Sequence, residues 1–94
     1  MGSNQLTGTI PTTFGLMDDL AGLSLYDNFL SGTLPTELSR VTNLQLVYLD
    51  GNQLVGSVSN GVCQLDHLRE LWADCDRVEC SCCTTCCNSE GCDS

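Results

Sequence analysis

Apolar residues in this chain recur neither at every second position, as in a half-buried strand, nor at helical spacing, but in register every 24 residues. Units starting at Asn4, Asn28 and Asn52 read NQLTGTIPTTFGLMDDLAGLSLYD, NFLSGTLPTELSRVTNLQLVYLDG and NQLVGSVSNGVCQLDHLRELWADC. Seven apolar columns align: Leu6, Leu30, Leu54; Ile10, Leu34, Val58; Phe14, Leu38, Val62; Met17, Val41, Leu65; Leu20, Leu44, Leu68; Leu23, Val47, Leu71; and Leu25, Leu49, Ala73. Such columns predict a solenoid. Each coil contributes one short strand (LSL, VYL or LWA) to a parallel sheet and returns through turns and short helical segments. A single coil cannot bury its apolar side alone, so stacking supplies the core.

Polar columns support the same geometry. Asn4, Asn28 and Asn52 stand just past the strand, where a side-chain amide can both donate to and accept from backbone groups at a tight bend. A structural asparagine ladder, buried and stacked, is therefore expected. Gly8, Gly32 and Gly56 align where positive φ or close backbone approach is needed, and Pro11 and Pro35 preset an extended turn that Ser59 takes over in the third unit.

The string LAGLSLYDNFLSGTLPTEL from Leu20, and more loosely LQLVYLDGNQLVGSVSNGV from Leu44, resembles the plant-type 24-residue leucine-rich repeat over Met1 to Cys75. The ending LWADCDRVECSCCTTCC is similar to the cysteine-rich closure of leucine-rich-repeat proteins of diatoms and related algae. The resemblance implies an α/β solenoid: a right-handed superhelix with short parallel strands on the concave face and turns or short 3-10 helices on the convex face. It also implies an extracellular, receptor-like binding domain whose concave sheet is the contact surface. The expected division is repeats over 1–75 and a cysteine-rich cap over 76–94.

Met1 falls 24 residues before Leu25, on a strand core position, so the chain reads as starting inside a coil. An uncapped first coil exposes an apolar face and a strand edge, and further repeats of a longer parent chain are expected upstream. At the other end, Asp76 replaces the asparagine with an acceptor-only group, and no leucine follows. The cysteine segment is thus expected to cover the last coil without an aliphatic core of its own.

Composition narrows the partners. With three basic residues against twelve carboxylates, the formal charge is -9, which opposes nucleic-acid binding and disfavours anionic membrane surfaces. No nucleic-acid partner and no direct membrane contact are expected of this segment, which carries no signal or transmembrane stretch. Eight cysteines in so short a chain point to disulfides and an oxidising compartment, either secreted or membrane-anchored.

Cys63 and Cys75 lie within the repeats, and Cys80, Cys82, Cys83, Cys86, Cys87 and Cys92 crowd the end. The bland reading of these is a disulfide cap, with 105 conceivable pairings left open and direct bonds between the neighbours Cys82 and Cys83 or Cys86 and Cys87 disfavoured by geometry. The alternative is a thiolate zinc site using the repeat as a scaffold. Cys80, Cys83 and Cys86 begin a ferredoxin-like run, but Glu90 stands where its fourth cysteine belongs. No metal or cofactor is assigned.

Alternation along the strands leaves three exposed columns on the concave face: Gly22, Leu46, Glu70; Ser24, Tyr48, Trp72; and Tyr26, Asp50, Asp74. Ser24, Tyr26, Tyr48, Asp50, Glu70, Trp72 and Asp74 form the candidate binding face. Aromatic anchors beside carboxylates suit a basic peptide or protein segment, although aromatics also simply favour strands and carboxylates aid solubility. The purely structural alternative is a capping fragment without a ligand. His67 has no partner at catalytic spacing. Asp18 with Asp19, and Asp74 with Asp76, lack a calcium-loop pattern. No catalytic residue is identified, and the chain reads as non-enzymatic.

Overall fold

The computed structural model describes residues 5–88 and 90–93 of the chain. Asn4, the first rung expected of the asparagine ladder, lies outside them. Ten strands are present among the described residues: β1 (Thr7–Thr9), β2 (Gly22–Ser24), β3 (Phe29–Gly32), β4 (Leu46–Tyr48), β5 (Gln53–Leu54), β6 (Gly56–Ser57), β7 (Glu70–Asp74), β8 (Val78–Glu79), β9 (Thr85–Asn88) and β10 (Gly91–Asp93).

The principal sheet runs β10-β9-β7-β4-β2. Its parallel registers place Gly22 opposite Leu46 and Leu46 opposite Glu70, Leu23 opposite Val47 and Val47 opposite Leu71, then Ser24, Tyr48 and Trp72 in one row. The 24-residue sequence period is therefore the strand-to-strand offset from β2 to β4 to β7. Leu23, Leu25, Val47, Leu49, Leu71 and Ala73 all point inward and are buried. Behind them pack Leu38, Val41, Leu44 and Val62, no more than 1% exposed.

On the other side of each coil the chain turns through 3-10 segments at Thr12–Leu16 and Thr36–Arg40, and through a single helical turn, Asn60–Cys63. Pro11 and Pro35 lead into the first two in extended conformation, and Ser59 adopts nearly the same angles (φ -67, ψ 151) without the ring. The bend thus survives the loss of the third proline. A second set of parallel pairs places Gly8 against Leu30, Gly32 against Leu54 and Gly56 against Val78. These glycines have φ of 86, 82 and 90, a region that side chains with a Cβ rarely enter.

The asparagine ladder is formed by the two described rungs. Asn28 is 4% and Asn52 7% exposed. Asn52 Nδ2 donates to the carbonyls of Leu25 (2.8 Å), Leu49 (3.1 Å) and Asp50 (3.3 Å), and its Oδ1 accepts the Leu30 N–H at 3.0 Å. Asn28 donates to the Leu25 and Tyr26 carbonyls and accepts from the Leu6 N–H. Each amide ties its own bend to the coil before it, supplying partners that buried backbone groups require.

The cysteine segment continues the solenoid in shortened form. Val78 takes the next place in the column of Leu6, Leu30 and Leu54 and is only 6% exposed, so the last coil does carry one aliphatic core residue of its own. Cys82 follows Ile10, Leu34 and Val58, and it packs against the core. The chain then cuts across. Trp72 pairs with Thr85, Ala73 with Cys86 and Asp74 with Cys87, an offset of 13 residues where the preceding coils use 24. Thr84 fastens the shortcut, its N–H donating to the Leu71 carbonyl and its Oγ1 accepting the Leu71 N–H, both at 3.0 Å.

The last strand, β10, folds back antiparallel on β9. Four disulfides hold this closure. Cys63–Cys82 joins the convex helical turn to the shortcut, Cys75–Cys86 joins the end of β7 to β9, Cys80–Cys83 closes a bend, and Cys87–Cys92 crosses the β9–β10 hairpin. No bond links the sequence neighbours Cys82 and Cys83 or Cys86 and Cys87. At the opposite end Met17 is 46% exposed, where its equivalent Val41 is fully buried.

Candidate functional site on the concave sheet

Because strand side chains alternate, the register that buries Leu23, Val47 and Leu71 turns Ser24, Tyr48 and Trp72 to the concave side in one row. Tyr48 and Trp72 meet edge to face, with ring centroids 5.3 Å apart and planes at 89°, an arrangement favoured by the ring quadrupoles. Past the strand ends, Tyr26 and Asp50 complete an open depression of about 210 Å³ lined by Tyr26, Tyr48, Asp50 and Trp72. Ser24 and Leu46 are half-buried beside it, and Gly22 is exposed.

The carboxylates expected on this face divide into two kinds. Glu70 accepts the Tyr48 hydroxyl hydrogen at 3.1 Å. Asp74 turns toward the bend, its two oxygens accepting the N–H groups of Gly51 and Asn52 at 3.2 Å each. Asp74 thereby caps the ladder, where Asp76, at the asparagine position, is exposed. Asp50 is different: its Oδ1 is buried and has no hydrogen-bond partner among the described residues. The indole Nε1 of Trp72 is in the same condition.

Burial raises the Asp50 carboxyl above its ordinary value, and the negative charges of Asp74 and Asp27 push the same way against the lowering effect of a backbone hydrogen bond. Burial likewise raises the Tyr48 phenol, aided by the hydrogen bond to Glu70 and by its charge.

The cap reaches this site. Cys92 Sγ lies 4.0 Å from Asp50 Oδ2, and ligand atoms of Asp50, Cys87 and Cys92 all fall within 4.8 Å of one another. The two sulfurs are bonded to each other, and with all eight cysteines paired a thiolate metal centre would require opening a bridge. The cap's approach to Asp50 carried no signal in the sequence, because the 13-residue offset breaks the period that locates everything upstream. His67, Asp18 and Asp19 are exposed and do not line this depression.

The Leucine Rich Repeat family model matches residues 43–65, the segment that carries β4, the Asn52 rung and the third bend. The chain is a leucine-rich-repeat solenoid of the plant type. Among solved structures, a chain in the crystal structure of PEPR1-AtPEP1 is 40% identical with a TM-score of 0.73, covering 74% of this chain. A chain in the BIR3–SERK2 complex from Arabidopsis thaliana is 31% identical with a TM-score of 0.75, covering 86%. This leucine-rich-repeat chain spans 10% and 43% of those two chains. No curated protein matches it by sequence. No helix among the described residues is long and apolar enough to cross a membrane.

Proposed function

We propose that this chain is a non-catalytic recognition module that binds a protein or peptide segment on its concave sheet, in an extracellular setting. Its repeats (1–75) form the reading surface and its cap (76–94) closes the array. The observation that carries this reading is the Tyr48–Trp72 pair beside Asp50, on a face where Glu70 and Asp74 are spent on internal hydrogen bonds and Asp50 Oδ1 and Trp72 Nε1 have no partner among the described residues. Rigid aromatics next to an unmatched polar group are the residues at which binding energy concentrates.

Two findings lend support. The structural neighbours are an ectodomain-like solenoid in PEPR1-AtPEP1 and a chain of the BIR3–SERK2 complex, both caught with partners by their names. Four disulfides suit an oxidising compartment. The formal charge of -9 favours a basic partner through long-range attraction.

The test is selection of a displayed random-peptide library on the oxidised chain, followed by affinities for Tyr48→Ala and Trp72→Ala. Each substitution should weaken a selected peptide by about tenfold or more. Selected peptides that bind both variants as well as the native chain would remove the concave face from the function.

A further inference from the structure

Resting on the binding role proposed for the concave sheet, we infer that the depression formed by Tyr26, Tyr48, Trp72 and Asp50 is a pocket for a single guanidinium group, the side chain of an arginine in the bound segment. Three features of the site converge on that chemistry.

The walls are aromatic on three sides, and the Tyr48 and Trp72 planes are perpendicular. Such walls offer π faces to a cation. A flat delocalised cation stacks on a ring better than a strongly hydrated ammonium does. The volume of about 210 Å³ is open at one side, which admits the end of a long side chain while the rest of the segment stays on the sheet.

The hydrogen-bonding capacity left in the pocket is specific. Glu70 is engaged by Tyr48, and Asp74 by the Gly51 and Asn52 amides. Asp50 is the lining carboxylate not spent on a neighbouring strand's donor: its Oδ1 is buried without a partner among the described residues, and its Oδ2 lies at the exposed edge beside Cys92. A quaternary ammonium would stack on the rings but offer the Asp50 carboxylate no N–H donor. A guanidinium supplies N–H donors in the plane of its stack, which the Asp50 carboxylate can accept.

The surroundings also favour a positive guest. Burial raises the Asp50 carboxyl, and the charges of Asp74 and Asp27 push the same way, so a cation brought beside it meets an acidic neighbourhood. On its other side Asp50 Oδ2 meets the Cys92 sulfur at 4.0 Å. That sulfur, bound to Cys87, carries no proton to donate.

Trp72 is the chain's single tryptophan, so its indole N–H gives one unambiguous resonance. N-acetyl-arginine N-methylamide titrated into the ¹⁵N-labelled, fully oxidised chain should shift that resonance saturably. The citrulline analogue, isosteric but uncharged, should not, and the trimethyllysine analogue should bind about tenfold more weakly than arginine. Asp50→Asn should weaken the arginine probe by about tenfold or more, and Asp19→Asn, exposed and outside the lining, by less than about twofold. Equal shifts with citrulline, indifference to Asp50→Asn, or no shift with arginine would overturn the pocket. A library-selected peptide that depends on Tyr48 and Trp72 but contains no required arginine would overturn it too, while leaving the broader binding role intact.

Discussion

Asn52 is the side chain on which the stacking of the second and third coils most depends, and its removal gives a worked magnitude. In Asn52→Ala the Leu30 N–H, buried and bonded to Oδ1 at 3.0 Å, loses its acceptor. The Leu49 carbonyl loses a donor, whereas the Leu25 carbonyl keeps the Asn28 amide at 2.9 Å and the Asp50 carbonyl keeps the Asp27 N–H at 3.0 Å. One orphaned buried donor costs about 1–3 kcal/mol and each lost bond about 1 kcal/mol net, which together with partial relaxation comes to about 2–4 kcal/mol. A domain of this size has only about 5–15 kcal/mol to lose. At about 4–8 °C per kcal/mol, the thermal midpoint should fall by about 8–32 °C. The assay is denaturation of the disulfide-intact protein, followed by far-ultraviolet circular dichroism. Asn43→Ala is the control, since its amide reaches the Asp18 carbonyl at an exposed position, and it should stay within about 0.5 kcal/mol. Asn28→Ala should fall between them, because the Leu6 amide it serves is only part-buried. An Asn52→Ala protein within about 1 kcal/mol of the native chain would refute the ladder as a stabilising element.

Three further outcomes are expected. Opening Cys63–Cys82 with paired serines, across a sequence separation of 19, should cost about 3 kcal/mol by loop entropy, against about 2 kcal/mol for Cys80–Cys83 with its separation of 3; urea midpoints of the two variants check the order. Because the folded-state Asp50 carboxyl is raised, its favourable contribution is present at low pH and is lost as pH rises through the folded value. Asp50→Asn should therefore stabilise at pH 7, with an advantage over the native chain that vanishes on acidification through the ordinary carboxylate range; stability curves across that range measure it. Gly15→Ala would place a Cβ 2.6 Å from the Glu37 carbonyl oxygen in the neighbouring coil, whereas at Gly22 nothing lies within 4 Å. The first should lose about 1–3 kcal/mol by overpacking and the second much less, as read from thermal midpoints.

How far the sequence carries this structure depends on where the period holds. Within the three full coils every partner among β2, β4 and β7 follows by adding 24, because a solenoid repeats its hydrogen-bond pattern with its sequence, while the second set of pairs runs at an offset of 22. The buried asparagines, the inward leucines and the Tyr48–Trp72 neighbourhood were all legible on that basis. After Asp76 the chain keeps the column positions of Val78 and Cys82 and then drops most of the convex return. The partner of Trp72 consequently could not be counted out from the repeat.

The cysteine pairings were hidden for the same reason. They depend on where the shortcut lies, and composition says only that they exist. Side-chain competition limited the site as well. Alternation placed Glu70 and Asp74 on the concave face, but which carboxylates are spent on internal donors depends on rotamers and on the tight bend at Gly51 and Asn52. That distinction singles out Asp50.

The central claim, that the concave sheet is the recognition surface, is tested most directly by hydroxyl-radical footprinting of the chain with and without a library-selected peptide. Tyr26, Tyr48 and Trp72 lie on the proposed surface, and the exposed side chains Met17 and Phe29 lie off it. The account predicts that the peptide suppresses oxidation of the three concave aromatics and leaves Met17 and Phe29 unchanged. Protection of Met17 or Phe29 with full oxidation at Tyr48 and Trp72 would contradict it.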